Sequence, residues 1–218
     1  MKKILVLAPH PDDETLGCGG TLLKHQNSKD KIFCIFLTNL KKNHKMYKKK
    51  IEEIKRVSKA YRFDDYFIGK FNPSTLEDIP KQDIISYLQK IINKIKPDKL
   101  LIPFPYDAHH DHRISFECMT VFFKSFRYSF IKEVWMYETL SETNFTENYT
   151  KQFFQPNTWV DITDFYQKKI KIFSNYASEY DLSPHPRSFE AIKSLAVLRG
   201  SYSNVKYAEA FQIIKNIL

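Results

Sequence analysis

Two short stretches of this chain carry side chains able to bind an ion and move a proton. The first is His10-Pro11-Asp12-Asp13-Glu14 and the second is His109-His110-Asp111-His112. Four of the seven histidines fall in these two stretches. Neutral imidazoles beside carboxylates, without paired cysteine spacing, select zinc or a similar borderline ion. Structural zinc sites close with four protein ligands, often thiolates. Catalytic sites offer three N or O ligands and keep a position for water. His10 and Asp13 sit on a turn stiffened by Pro9 and Pro11, so both side chains can face one ion. His112 would complete that ligand set. Asp12 points differently from Asp13 and is free to act as the base on the attacking water. His109 can donate to the oxyanion of a tetrahedral intermediate. Asp111 is available to hold an imidazole in its correct tautomer. His110 is the spare histidine, and Glu14 is expected behind the ligands.

These loops must be held by regular elements. Residues 4–7 are a short apolar run of the kind found in strands buried on both faces. Further strands are expected at 31–37, 66–68 (closed by Gly69) and 99–102. Helical spacing covers 47–61 and 83–95, and a helix over 15–26 follows a glycine-rich turn. Three of the five glycines, Gly17, Gly19 and Gly20, lie in that turn. They suit close packing of the first helix, since the dinucleotide-binding glycine spacing is absent. Beyond the second loop the pattern predicts a helix over 112–127 and strands at 134–137 and 159–162. A helix over 165–180 capped by Thr163 and Asp164, and one over 188–198, follow. Residues 208–218 read equally as helix or strand.

Alternating strands and helices predict an α/β fold, a three-layer αβα Rossmann-like architecture around a mostly parallel sheet. Ligands collect at the carboxyl ends of such strands, which is where loops 8–20 and 103–113 fall. At 218 residues, a single domain over 1–218 is expected. The apolar run near the N-terminus is too short for a signal peptide, and no segment approaches a membrane span. Three cysteines without paired spacing suit reduced thiols and a cytoplasmic protein, with Cys18 a small buried thiol. His25, His44 and His185 read as surface or packing residues.

The net charge is +9, which admits nucleic acid, an anionic membrane surface or an anionic small substrate. The excess concentrates in Lys41, Lys42, Lys45, Lys48, Lys49, Lys50, Lys55 and Arg56. Glu52 and Glu53 can pair with some of these, giving a solvated helix face. Few aromatics interleave with them, so no nucleic-acid partner is expected. The aromatic-rich segment 122–154 is expected to shape the pocket or a subunit contact.

His10-Pro-Asp-Asp-Glu14 after an apolar strand, with His109-x-Asp-His112 downstream, resembles the LmbE/PIG-L family of zinc-dependent N-deacetylases. The likeness continues through Lys50-x-x-Glu53, where the family usually has Arg-x-x-Glu, and through Lys96-Pro-Asp98. It takes in Val160-Asp-Ile-Thr163 with Lys168 or Lys169, His185-Pro-Arg-Ser188, Arg199-Gly200 and Ala208-Glu-Ala-Phe211. The resemblance implies one Zn2+ per chain, with Fe2+ an alternative, on His10, Asp13 and His112. It implies Asp12 as base and His109 as electrophile oriented by Asp111. Lys50 stands where the family's substrate-holding arginine does, with a different donor geometry. Arg187 is a second candidate for substrate contact, or a structural residue of its turn. The implied reaction is removal of an N-acetyl group from an N-acetylglucosamine-type sugar, with release of acetate. The substrate is then an acetamido sugar, which the charge excess would let be anionic or nucleotide-linked, and assembly into a homo-oligomer is common in the family. An N-deacylase or amidase acting on another amide would use the same site. A non-catalytic metal-binding protein is the remaining alternative.

Overall fold

The structure, a computed structural model, describes residues 1–146 and 152–217. Its centre is a seven-stranded sheet in the order β3-β2-β1-β4-β5-β7-β6. The strands are β1 (Lys3–Ala8), β2 (Lys31–Thr38), β3 (Asp65–Phe71), β4 (Lys99–Pro103), β5 (Glu133–Tyr137), β6 (Thr158–Asp161) and β7 (Ala208–Asn216). β1 pairs in parallel with β2 on one side and β4 on the other. β2–β3 and β4–β5 are also parallel, while β7 runs antiparallel to both β5 and β6. Ile4 to Ala8 are without solvent exposure, as a strand covered on both faces requires.

The helices are α1 (Asp13–Asn27), α2 (Tyr47–Tyr61), α3 (Lys81–Ile95), α4 (His110–Met119), α5 (Tyr166–Phe173) and α6 (Phe189–Ser201). They cover the two faces of the sheet as separate apolar layers. Leu5, Leu7, Leu88 and Ile92 belong to one layer, and Ile4, Val6, Leu22 and Ile54 to the other. The odd and even residues of β1 therefore feed opposite cores, the strand's period of two made visible.

Several boundaries differ from the sequence reading. α1 starts at Asp13, two residues before the expected Thr15, and its ladder kinks at Cys18 (φ −145°, ψ 19°). The glycines are thus inside the helix. A Cβ on Gly17 would strike the Tyr137 ring, and one on Gly20 would strike Ile162. Their absence lets α1 lie directly on β5 and on the chain after β6. α4 ends at Met119, where Thr120–Phe123 tightens into a 3-10 turn. α5 ends at Phe173, well short of 180, and neither Thr163 nor Asp164 caps it. Gly69 does not close β3 but lies within it, where the Leu37 carbonyl approaches too near for a side chain. The ambiguous C-terminal stretch is strand β7.

Candidate metal centre and active-site cleft

The first loop is positioned by the end of β2. Thr38 donates from its N–H (3.0 Å) and its hydroxyl (2.8 Å) to the Pro9 carbonyl, which fixes the chain entering His10. Asp12 then adopts φ 138°, a conformation L-residues rarely hold, costing about 1–3 kcal/mol. That bend separates the two aspartates. Asp13 becomes the first residue of α1 and accepts from the His10 N–H at 2.7 Å. Glu14 lies behind, fully buried, accepting from the Asp12 N–H (3.2 Å), Thr15 (2.5 Å) and Tyr176 (2.9 Å).

The second loop leaves β4 and becomes α4, with His109 as the N-cap residue. Its Nδ1 accepts from the Asp111 N–H at 3.1 Å. A ring nitrogen that accepts carries no proton, so the neutral His109 is the Nε2–H tautomer. One helical turn on, His112 is without solvent exposure, and its Nδ1 is 2.8 Å from Asp107 Oδ2. Asp107 is held in turn by the Thr143 hydroxyl at 2.5 Å.

The two loops meet. His10, Asp13 and His112 each offer a ligand atom within 4.8 Å of the others. His10, His109 and Asp111 form a second group by the same measure. Hydrogen bonding separates them. Asp111 is already engaged by His10 Nε2 (2.8 Å), the Ser74 N–H (2.6 Å) and the Leu76 N–H (3.1 Å). His112 Nε2 is buried without a hydrogen-bond partner, although Asp13 Oδ2 lies 3.2 Å away. Proximity without bonding geometry means that nitrogen and oxygen face a shared point and not each other. An orphaned buried imidazole nitrogen is costly, and a metal ion satisfies it.

The electrostatics agree. Burial alone would lower His112, but the Asp13 and Asp107 carboxylates outweigh it and hold the imidazole well above its usual range. His10 is likewise raised to about 9, where burial opposes and Asp111 and Asp13 prevail. Asp13 is held far below an ordinary carboxyl by the two imidazoles, against burial. Such a pocket calls for positive charge, which a divalent ion supplies with the imidazoles neutral. Burial and then Asp13 push Asp12 up to about 7, with Arg187 pulling the other way. Burial and the charge on His10 lower His109 to about 4.

Around these residues lies a cleft of about 320 Å³, lined also by Lys50, Ser141, Glu142, Glu179 and Arg187. The predicted contacts are partly redistributed. The Asp111 carboxylate holds His10, and its nearest approach to His109 Nδ1 is 3.9 Å, so the carboxylate does not orient His109. Arg187 reaches the cleft but donates to Asp12 (3.0 Å) and Glu179 (3.2 Å). Lys50 pairs with Glu179 and lies 3.6 Å from buried Glu53. His110 turns out of the site toward Glu77.

Sequence reasoning missed three residues here. Asp107 had a signal, an acid in the same loop as His112. Glu179 had none, because the stretch holding it read as helix. Glu142 lies in the aromatic-rich segment, whose residues 147–151 fall outside those described.

Comparison with known proteins places this arrangement. A diacetylchitobiose deacetylase of Thermococcus kodakarensis is 24% identical over all of this chain and 85% of its own. A solved N,N'-diacetylchitobiose deacetylase from Pyrococcus horikoshii, with its inhibitor MPG, superposes with a TM-score of 0.77. It is 22% identical, covering 98% of this chain and 84% of that one. The fold also serves other chemistry, since the 4-carboxy-2-hydroxymuconate hydratase GalB from Pseudomonas putida KT2440 has a TM-score of 0.75. It is 17% identical over 100% of this chain and 98% of its own. Residues 5–123, which contain both loops, match the family described as PIG-L: GlcNAc-PI de-N-acetylase. The paired loops and the family match coincide on the same residues, and the chain belongs to the PIG-L family.

Proposed function

We propose that this protein is a metal-dependent N-deacetylase that hydrolyses the acetamide of an N-acetylglucosamine-type sugar to free amine and acetate. The observation that carries the reading is His112 Nε2, buried and unpartnered with Nδ1 fixed on Asp107. A nitrogen prepared in this way fits a metal ligand, and it sits with His10 and Asp13. These three would hold one Zn2+, which supplies Lewis-acid polarisation of the carbonyl and acidifies water. Fe2+ would suit the same donors.

The chain's own residues then divide the work. Asp12, beside Asp13 but turned away by its φ, removes the proton from the attacking water and returns it to the leaving nitrogen. Arg187 keeps the Asp12 carboxylate in place. His109, accepting at Nδ1, has only Nε2–H to offer, and donates it to the developing oxyanion. Asp111 fixes His10 through Nε2, leaving Nδ1, 3.5 Å from Asp13 Oδ2, as the atom that would bind the ion. Lys50 and Arg187 contact the sugar at the cleft wall.

The relative in Thermococcus kodakarensis supports an amino-sugar substrate. A cytoplasmic, single-domain enzyme fits three buried free cysteines, and no helix among the described residues is long and apolar enough to cross a membrane. The test is acetate and amine release by the zinc-loaded protein from N-acetylglucosamine and its conjugates. Release of acetate is the expected result. Release of a different acid from other N-acyl or non-sugar amides, with none from acetamido sugars, would transfer the site to another amidase.

A further inference from the structure

The chain between α5 and α6 sends one carboxylate into the cleft. That residue, Glu179, is held from two sides. Its N–H donates to the Tyr176 carbonyl at 2.9 Å, and Tyr176 is fully buried with its hydroxyl on Glu14. Tyr180, the next residue, packs on Phe189 with 4.9 Å between ring centroids. Anchored neighbours thus present the Glu179 side chain at the cleft wall, beside Lys50 and Arg187. All three residues are half-buried.

Their side chains form one unit. Glu179 Oε1 meets Lys50 Nζ and accepts from the Ser178 hydroxyl at 3.1 Å. Oε2 accepts from Arg187 Nη1 at 3.2 Å, and the same Nη1 reaches Asp12 at 3.0 Å. Lys50 has a second carboxylate, buried Glu53, at 3.6 Å. Each cation therefore faces two carboxylates and has no charge to spare. The cleft as a whole is lined by the carboxyl groups of Asp12, Asp13, Glu142 and Glu179 against Lys50 and Arg187. The +9 of the chain does not extend into it.

We infer that Glu179 is the specificity-determining residue of the cleft: it caps Lys50 and Arg187 so that they receive hydroxyls of an uncharged sugar ring and turn away a ring bearing a carboxylate or phosphate. The inference deepens the deacetylase reading and rests on it for the sugar itself. A hydroxyl both donates and accepts, so it gives its proton to Glu179 while accepting from Lys50 or Arg187. A carboxylate or phosphate on the ring meets Glu179 as a like charge, which is costly at close range. Selection of this kind works by repulsion, and removing the charge alone exposes it.

Calorimetry with the zinc-loaded protein tests this role. The probes are N-acetylglucosamine, its 6-phosphate, and N-acetylmuramic acid, which carries a carboxylate on its O3 substituent. The wild type should bind the neutral sugar about tenfold or more tighter than either acidic one. Glu179→Gln keeps the shape and removes the charge, so exclusion by size would survive it. In that variant at least one acidic sugar should gain about tenfold or more relative to N-acetylglucosamine. Glu179→Ala gives the same reading if Glu179→Gln does not fold. An acidic sugar bound by the wild type as tightly as the neutral one would overturn the inference. So would a ranking that loss of the Glu179 charge leaves unchanged, or a wild type that binds none of the three. If no acetamido sugar releases acetate, the deacetylase reading fails, while the binding ranking still decides the role of Glu179.

Discussion

Two buried polar clusters lie against helix α1, and they are finished in opposite ways. Under its middle, Glu209 of β7 accepts from the Gly20 N–H, the Thr21 N–H and the Thr21 hydroxyl, each at 2.7 Å. Lys169 of α5 completes the set at 2.8 Å and also donates to the Leu16 carbonyl. Every group there has a partner within the protein. At the start of the same helix, His10, Asp13 and His112 bring ligand atoms within 4.8 Å of one another, and His112 Nε2 has no hydrogen bond. Both clusters are buried and charged, so burial alone does not distinguish structure from chemistry. An unpartnered imidazole nitrogen that converges with two further ligand groups does, because its burial costs stability unless a bound ion completes it. The Glu209 cluster locks α1 to β7 and α5, and it thereby aims the helix whose first residue is Asp13.

The comparison can be broken by exchanging the two behaviours. Replacing Glu209 by Ala should be the heaviest structural blow. It leaves Lys169 charged and buried, at a cost of about 3–5 kcal/mol, read as a lower midpoint in urea. Where folded, the variant should still bind zinc; a loss of metal with stability intact would contradict the division. Asp12→Ala should do the reverse. Its turnover should fall by ~10²–10⁴-fold, with metal content kept, and near-normal acetate release would remove Asp12 as the base. Asp107→Asn should weaken zinc binding by about 10–100-fold, because an amide holds the His112 tautomer less firmly. Metal affinity unchanged in this variant would take Asp107 out of the ligand's support. Zinc at about 100 times its Kd should stabilise the wild type by about 2.7 kcal/mol, seen as a rise in Tm. No rise would mean that the unfinished cluster is not completed by zinc.

How much of this was legible depended on the kind of signal. β1 and β4 were readable because buried parallel strands are continuous apolar runs, and the two loops after them because histidines and carboxylates concentrate there. Periodicity could not resolve residues 208–216, since an apolar stretch interrupted by Glu209, Gln212 and Lys215 fits either period. It becomes strand β7 by pairing with β5 and β6, both distant in sequence. The glycines of α1 looked like a turn because glycine ordinarily weakens helices. Here the rings and side chains packed on them demand it. That Asp107 meets His112 and Asp111 meets His10 was invisible for another reason. Which imidazole each carboxylate meets depends on how the loop turns into α4, and spacing along the chain does not encode that. Lys169 and Glu209, resembling family positions without an assigned role, are explained only once β7 lies under α1.

The most direct test of the central claim is metal stoichiometry, measured on the purified wild type and on His112→Ala after saturation with zinc and removal of excess. One ion per chain in the wild type and none in the variant is the predicted result. A His112→Ala protein that retains one tightly bound zinc would show that the orphaned nitrogen was not waiting for a metal, and the account of the site would fall with it.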